Sequence, residues 1–213
     1  MFLNKRPYCL ILITFFIFTA FSCDNDTDDT IAEPDFKGEI DWVKTFGGSN
    51  EEEAIAVVQS NDNGYMVLGF TRSMDGDVTG KTTTDQDYWL LKLNENGEKV
   101  WDRTYGGSQD DKASCITKTS DGGYIISGYT ASNDGDVTEN AGFHDYWIVK
   151  INGGGAIQWE KSFGFVGQDQ AYKVIETLDG GYFALGYLDV QASEGEGNDF
   201  SNSTTNNTRA SMH

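Results

Sequence analysis

A tract with the pattern Trp-x-x-x-(Phe/Tyr)-Gly occurs three times, and its spacing fixes the organisation of the chain. Trp42-Val43-Lys44-Thr45-Phe46-Gly47-Gly48-Ser49 is echoed by Trp101-Asp102-Arg103-Thr104-Tyr105-Gly106-Gly107-Ser108, and again by Trp159-Glu160-Lys161-Ser162-Phe163-Gly164, the tryptophans standing 59 and 58 residues apart. A period of that length marks stacked supersecondary units. Three further landmarks keep register: Ala54, Ala113 and Ala171; Asp62, Asp121 and Asp179; Tyr65, Tyr124 and Tyr182, each followed four residues on by Gly69, Gly128 or Gly186. A residue that recurs in every unit is first a candidate for building the unit and only then for a site.

Each unit reads as four short strands. Ala54–Val58 leads through Ser60-Asn61-Asp62-Asn63-Gly64, a sequence suited to a hairpin turn, into Tyr65–Phe70. After a long loop comes Asp87-Tyr88-Trp89-Leu90-Leu91-Lys92-Leu93, and a turn at Asn94–Gly97 leads to the next Trp strand. The second strand is almost continuously apolar, which predicts cover on both faces. With 25 Gly, two Pro and no helical periodicity after the leader, the expected fold is all-β, built of four-stranded antiparallel, β-propeller-like units in an incomplete ring. The units span about 42–100, 101–158 and a partial 159–200. After Gly186 the register fails: the nearest counterpart of the third-strand Asp, Asp199, arrives too early and no Trp tract follows it. Truncation, ring completion by self-association, and an open stack of sheets all fit that pattern.

The ends carry other information. Lys5 and Arg6 precede an apolar run from Tyr8 to Ala20, short for a membrane span of about 20 residues. Residues 1–22 read as a secretory signal. Ala20-Phe21-Ser22-Cys23 resembles a bacterial lipobox, which implies lipidation of Cys23 and a lipid anchor to the membrane. Residues 23–35 include the acidic tether Asp24-Asn25-Asp26-Thr27-Asp28-Asp29, the repeat domain occupies 36–200, and 201–213 is a polar tail expected to be disordered. Removing Lys5 and Arg6 leaves 13 of 15 Lys+Arg against 34 Asp+Glu, a charge of −21, which excludes nucleic acid as a partner. Cys115 is then the one thiol left for the fold, so no disulfide framework is expected; it reads as a small core residue.

The Ser/Thr-x-Asp-x-Gly turns resemble the Asp-box of sialidase-like propellers, with Tyr directly after the Gly. The whole unit resembles the DGGY/DGDV/DYW repeats of surface lipoproteins of the Bacteroidota, over residues 42 to about 187. The resemblance implies export, anchoring to the outer membrane with exposure at the cell surface, and a structural rather than catalytic turn Asp. Some of those proteins carry lectin-type labels.

Ser73-Met74-Asp75-Gly76-Asp77-Val78 recurs as Ser132-Asn133-Asp134-Gly135-Asp136-Val137. Carboxylates one residue apart across a Gly suit Ca²⁺, so Asp75, Asp77 and Asp87, with Asp85 nearby, and Asp134, Asp136 and Asp145 are the candidate ligands. A solvated Asp-Gly turn explains the same letters. Trp89, Leu91 and Leu93 alternate as a core stripe, as do Trp147, Val149 and Ile151, which leaves Tyr88 and Tyr146 on the opposite face as candidate sugar platforms. No Ser-His-Asp set, His-rich metal set or phosphate loop appears. The expected function is a non-enzymatic surface module that recognises or scaffolds a glycan or a protein. The alternatives are a fragment of a carbohydrate-active hydrolase, with a carboxylate pair, or a truncated repeat protein without independent function.

Overall fold

The computed structural model describes residues 38–189. The leader, Cys23, the acidic tether, Asp199 and the polar tail lie outside them. The chain divides into two compact units, Met1–Ile40 and Asp41–His213. Of the first, only residues 38–40 are described, and they form no strand. No described helix is long and apolar enough to cross a membrane.

The second unit is all-β. Its strands are β1 (Glu52–Gln59), β2 (Tyr65–Thr71), β3 (Asp87–Leu93), β4 (Lys99–Tyr105), β5 (Asp111–Lys118), β6 (Tyr124–Thr130), β7 (Asp145–Ile151), β8 (Ile157–Phe163), β9 (Gln170–Glu176) and β10 (Tyr182–Tyr187). They form sheets in the orders β1-β2-β3-β4, β5-β6-β7-β8 and β10-β9, every neighbour antiparallel. No sheet closes into a barrel. The Trp101 and Trp159 strands close the first and second sheets, so each sequence period begins on the last strand of the sheet before it. Residues 42–46 carry the same tract yet form no strand.

The sheets are packed face to face. Met66, Leu68, Tyr88, Leu90 and Tyr105 of the first meet Ile116, Tyr124, Ile126, Trp147, Val149 and Ile151 of the second in one core. Ile125, Tyr146 and Ile148 on the other face of the second sheet pack with Ala171 and Val174 of the third. The outer face of the first sheet buries Val78, Trp89, Leu91 and Leu93, with Phe46 against them. The middle strands therefore have cover on both sides, and all seven residues of β3 and of β7 are buried. Cys115 is a buried residue of β5.

Repeated letters have local reasons. The register slips between Ala54 and Ala56, between Ala113 and Cys115, and between Leu185 and Gly186, a β-bulge at the same place in each unit. The bulge pushes a carbonyl at the glycine opposite. A Cβ on Gly69, Gly128 or Gly186 would lie 1.9, 2.1 or 2.0 Å from the carbonyl oxygen of Glu53, Lys112 or Gln170. The hairpin Asp is held as its turn chemistry predicts: Asp62 Oδ1 accepts from Ser60 Oγ at 2.5 Å and from Gly64 N at 3.2 Å, with Thr119 and Gly123 donating in the same way to Asp121.

Candidate functional site

The Asp-Gly-Asp loops fold onto the Gly-Gly-Ser tracts. Asp75 Oδ1 accepts from Ser49 N at 2.8 Å and Asp77 Oδ2 from Gly47 N at 3.1 Å. In the next unit Asp134 Oδ1 accepts from Ser108 N at 2.8 Å and Asp136 Oδ2 from Gly106 N at 3.2 Å. Gly76 and Gly135 take φ of 67° and 66°, and a Cβ on either would strike the carbonyl of Gly47 or Gly106. The two motifs thus form a clamp in which carboxylates cap backbone N–H groups. Of the six proposed calcium ligands, four spend at least one oxygen on that clamp. Among the described residues no three acidic, His or Cys side chains gather as a metal-holding group.

Asp87 and Asp145 sit elsewhere, at the junctions between successive sheets. Each faces an acid from the start of the following sheet across a glycine. A Cβ on Gly106 would lie 2.5 Å from Asp87 Oδ1 and 2.6 Å from Asp111 Oδ2, and one on Gly164 would meet Asp145 and Asp169 in the same way. Asp111 accepts from Thr130 Oγ1, from Ser132 Oγ at 2.9 Å and from Gly107 N at 2.8 Å. Lys81, its side chain wholly buried, donates to Asp87 Oδ2 at 2.5 Å. Asp145 Oδ2 accepts from Ala141 N at 2.7 Å instead. Asp87 Oδ1 and Asp145 Oδ1 are buried without a hydrogen-bond partner. Burial pushes Asp87 up to about 6 against the pull of Lys81, and it raises Asp111 and Asp145 as well.

A polar cleft of about 380 Å³ opens at the first junction, lined by Lys81, Asp87, Thr104, Gly106 and the Asp134–Asp136 loop. At the second junction, the corresponding Asp145, Ser162 and Gly164 border a larger, more apolar groove of about 1310 Å³ that continues along β10 past Phe163, Phe165 and Leu188. His144 stands beside Asp145 in sequence, but its ring stacks on Tyr129 at 4.2 Å and Phe143 at 4.4 Å, and burial lowers its pKa.

The expected sugar platforms are corrected by the packing. Tyr88 is fully buried, its ring 4.7 Å from that of Trp147 and its hydroxyl donating to the Trp147 carbonyl at 3.2 Å. The face opposite the Trp stripe is the inter-sheet core, so no ligand reaches it. Tyr146 is also buried, though it borders the second groove. Sequence reasoning missed Asp111, Asp169 and Lys81. The first two stand ten residues after Trp101 and Trp159, where the first unit has Glu52, so the repeat itself carried that signal. Lys81 has no such signal, because Asn140 and Ala141 occupy its region in the second unit.

No family model matches the chain, and no curated protein matches it.

Proposed function

We propose that this chain is a non-enzymatic lipoprotein of the outer cell surface, anchored through Cys23, whose stacked β sheets recognise or scaffold a glycan or surface protein. The observation that carries the reading is the recurrence of one set of lining positions at successive sheet junctions, Asp87, Thr104 and Gly106 in the polar recess at the first and Asp145, Ser162 and Gly164 in the more apolar groove at the second. Repeated recesses suit multivalent binding, whereas a catalytic site is assembled once. Asp87 and Asp145 line these recesses, and each keeps one buried carboxylate oxygen without a protein hydrogen-bond partner. The acidic surface supports neutral or cationic ligands over polyanions.

The test is a glycan array followed by calorimetry on the wild type, Asp87→Asn and Asp145→Asn. Binding reduced in each variant, with the sugar recovered intact, is the expected result. The raised pKa of Asp87, with Asp111 facing it, favours a second reading as a glycoside hydrolase acid pair. Release of reducing sugar by the wild type, lost in Asp87→Asn, would establish that reading and remove the first. Anchoring is tested separately: Cys23→Ser should abolish lipid labelling and release the protein from the membrane fraction.

A further inference from the structure

Among the described residues, the first and the last sheet of the stack each leave an apolar surface exposed. Inside the molecule, each sheet packs onto the next through unlike faces. Ala56, Val58, Met66 and Leu68 of the first sheet meet Ile116, Tyr124 and Ile126 of the second; one step on, Ile125 of the second meets Val174, Tyr182 and Ala184 of the third. The third sheet then leaves open the face corresponding to Met66 and Leu68. Phe183 is 58 % exposed and Leu185 50 %, with Tyr187 and Ile175 beside them. The complementary face of the first sheet is covered at Trp89, Leu91 and Leu93 but open at Val57, which is 61 % exposed although its counterparts Ile116 and Val174 are buried.

The strand inventory is complementary as well. Trp42–Phe46 lies on the first sheet as the outer strand of one sheet lies on the next. Trp42 meets Tyr65 edge-on at 5.9 Å as Trp159 meets Tyr182 at 5.3 Å. Gly97 closes on the Trp42 ring as Gly155 closes on that of Trp101. Yet β4 and β8 are paired within sheets, whereas residues 42–46 have no strand pairing. The segment carries the sequence of an outer strand without inner strands to pair with, and among the described residues the third sheet has inner strands and no outer one. Residues 42–46 present Trp42 and Phe46 with the spacing by which Trp101 and Tyr105 cover the first core.

We propose that copies of this chain associate head to tail: the open face of β9–β10 in one copy packs on the first sheet of the next, whose residues 42–46 lie along the open side of that third sheet. The occupant of the open β9–β10 face at Phe183 and Leu185 is thus a second copy of the same chain. The contact repeats a packing made twice within the molecule, and it is heterologous, so it propagates until a ring closes or a filament grows. It does not depend on the ligand reading above.

Sedimentation of the full chain in non-ionic detergent tests the proposal. The wild type is expected to show protein mass rising with concentration in whole multiples of the single-chain mass. Leu185→Asp, blocking the tail, and Val57→Asp, blocking the head, should each remain monomeric. Mixed, they should form a dimer and nothing larger, because each retains the half that the other has lost. Phe183→Asp and Val43→Asp, also at exposed positions, form a second pair of variants if either of the first is misfolded by circular dichroism. A wild type that stays monomeric, as it would with residues 190–213 of its own chain covering the face, overturns the proposal. So does a well-folded single variant that still assembles, or a mixture that does not pair.

Discussion

Lys150 Nζ lies 2.8 Å from Asp121 Oδ2, joining the third strand of the second sheet to the hairpin turn between its first two. The first sheet has the same bond, Lys92 to Asp62 at 2.6 Å. Both ammonium groups are buried and both carboxylates reach solvent. The hydrogen bond from the lysine is the main reason that Asp62 and Asp121 are held well below the usual carboxylate range. Removing the two partners should therefore have unequal effects. Asp121→Ala leaves a buried cation with only Gln158 and a backbone carbonyl, and should cost about 1–2 kcal/mol once solvent screening at the half-exposed carboxylate is allowed for. Lys150→Met removes the buried charge itself and should cost less. Urea unfolding of both variants measures the difference; equal losses would refute the asymmetry.

Gly128 faces the bulged carbonyl of Lys112 with no room for a methyl group. Gly128→Ala is expected to destabilise by about 1–3 kcal/mol, because a backbone oxygen rather than a flexible side chain must move. The thermal midpoint reads this directly, with Ala113→Gly on the paired strand as a comparison that adds no atom.

Asn63 holds φ at 64°, where the other two turns use Gly122 and Gly180. Asn tolerates that conformation better than most residues, and Gly adopts it freely. Asn63→Gly should stabilise the fold by about 0.5 kcal/mol in the denaturant midpoint.

Stability should peak on the acid side of neutrality. Asp62 and Asp121 are lowered in the fold, so the stability they contribute is present above the ordinary value of 3.8 and is lost as pH falls below it. Asp87 is raised to about 6, so its contribution is full below 3.8 and is lost as pH climbs through about 6. Asp111 and Asp145 are raised too and slope the same way. A net charge of −19 at pH 7 adds self-repulsion. The melting temperature is expected to rise as pH falls from about 7 to about 5 and to fall below about pH 3. Asp87→Asn should flatten the upper slope.

The clamp separates two explanations of the Asp-Gly-Asp motif. Asp134 accepts a backbone N–H, a role an amide oxygen can fill. Asp134→Asn should be nearly silent and Asp134→Ala should cost about 1 kcal/mol, while a chelator leaves the midpoint unmoved. A calcium-dependent fold would instead lose stability with chelator and respond to Asn as strongly as to Ala.

Much of this architecture was legible because the repeat compares the chain with itself. The strand set, the Asp turns, the two-sided burial of the second strand in the first two units and the core placement of Cys115 all followed from periodicity and turn chemistry, whereas β10, the same strand in the third unit, is largely exposed. The site was less legible, for physical reasons. A stripe such as Trp89-Leu91-Leu93 reveals one buried face but is silent about the other, so Tyr88 read as an open platform when the next sheet covers it. The partners of Asp75 and Asp77 are backbone N–H groups near residue 48, and main-chain donors have no letter. Lys81 met Asp87 through a loop whose path the sequence does not encode by spacing.

The stagger between sequence period and sheet has its own consequence. A segment cut from Trp42 to Val100 would carry its neighbour's outer edge and leave its own behind, much as a single brick lifted from running bond takes half of two joints with it. Because Trp101 lies in the first sheet and packs against the second, no boundary in the sequence coincides with a boundary in space. Gain or loss of one repeat by recombination would therefore regenerate intact sheets at both splice points, while a chain pulled from one end could not shed a period without first splitting a sheet.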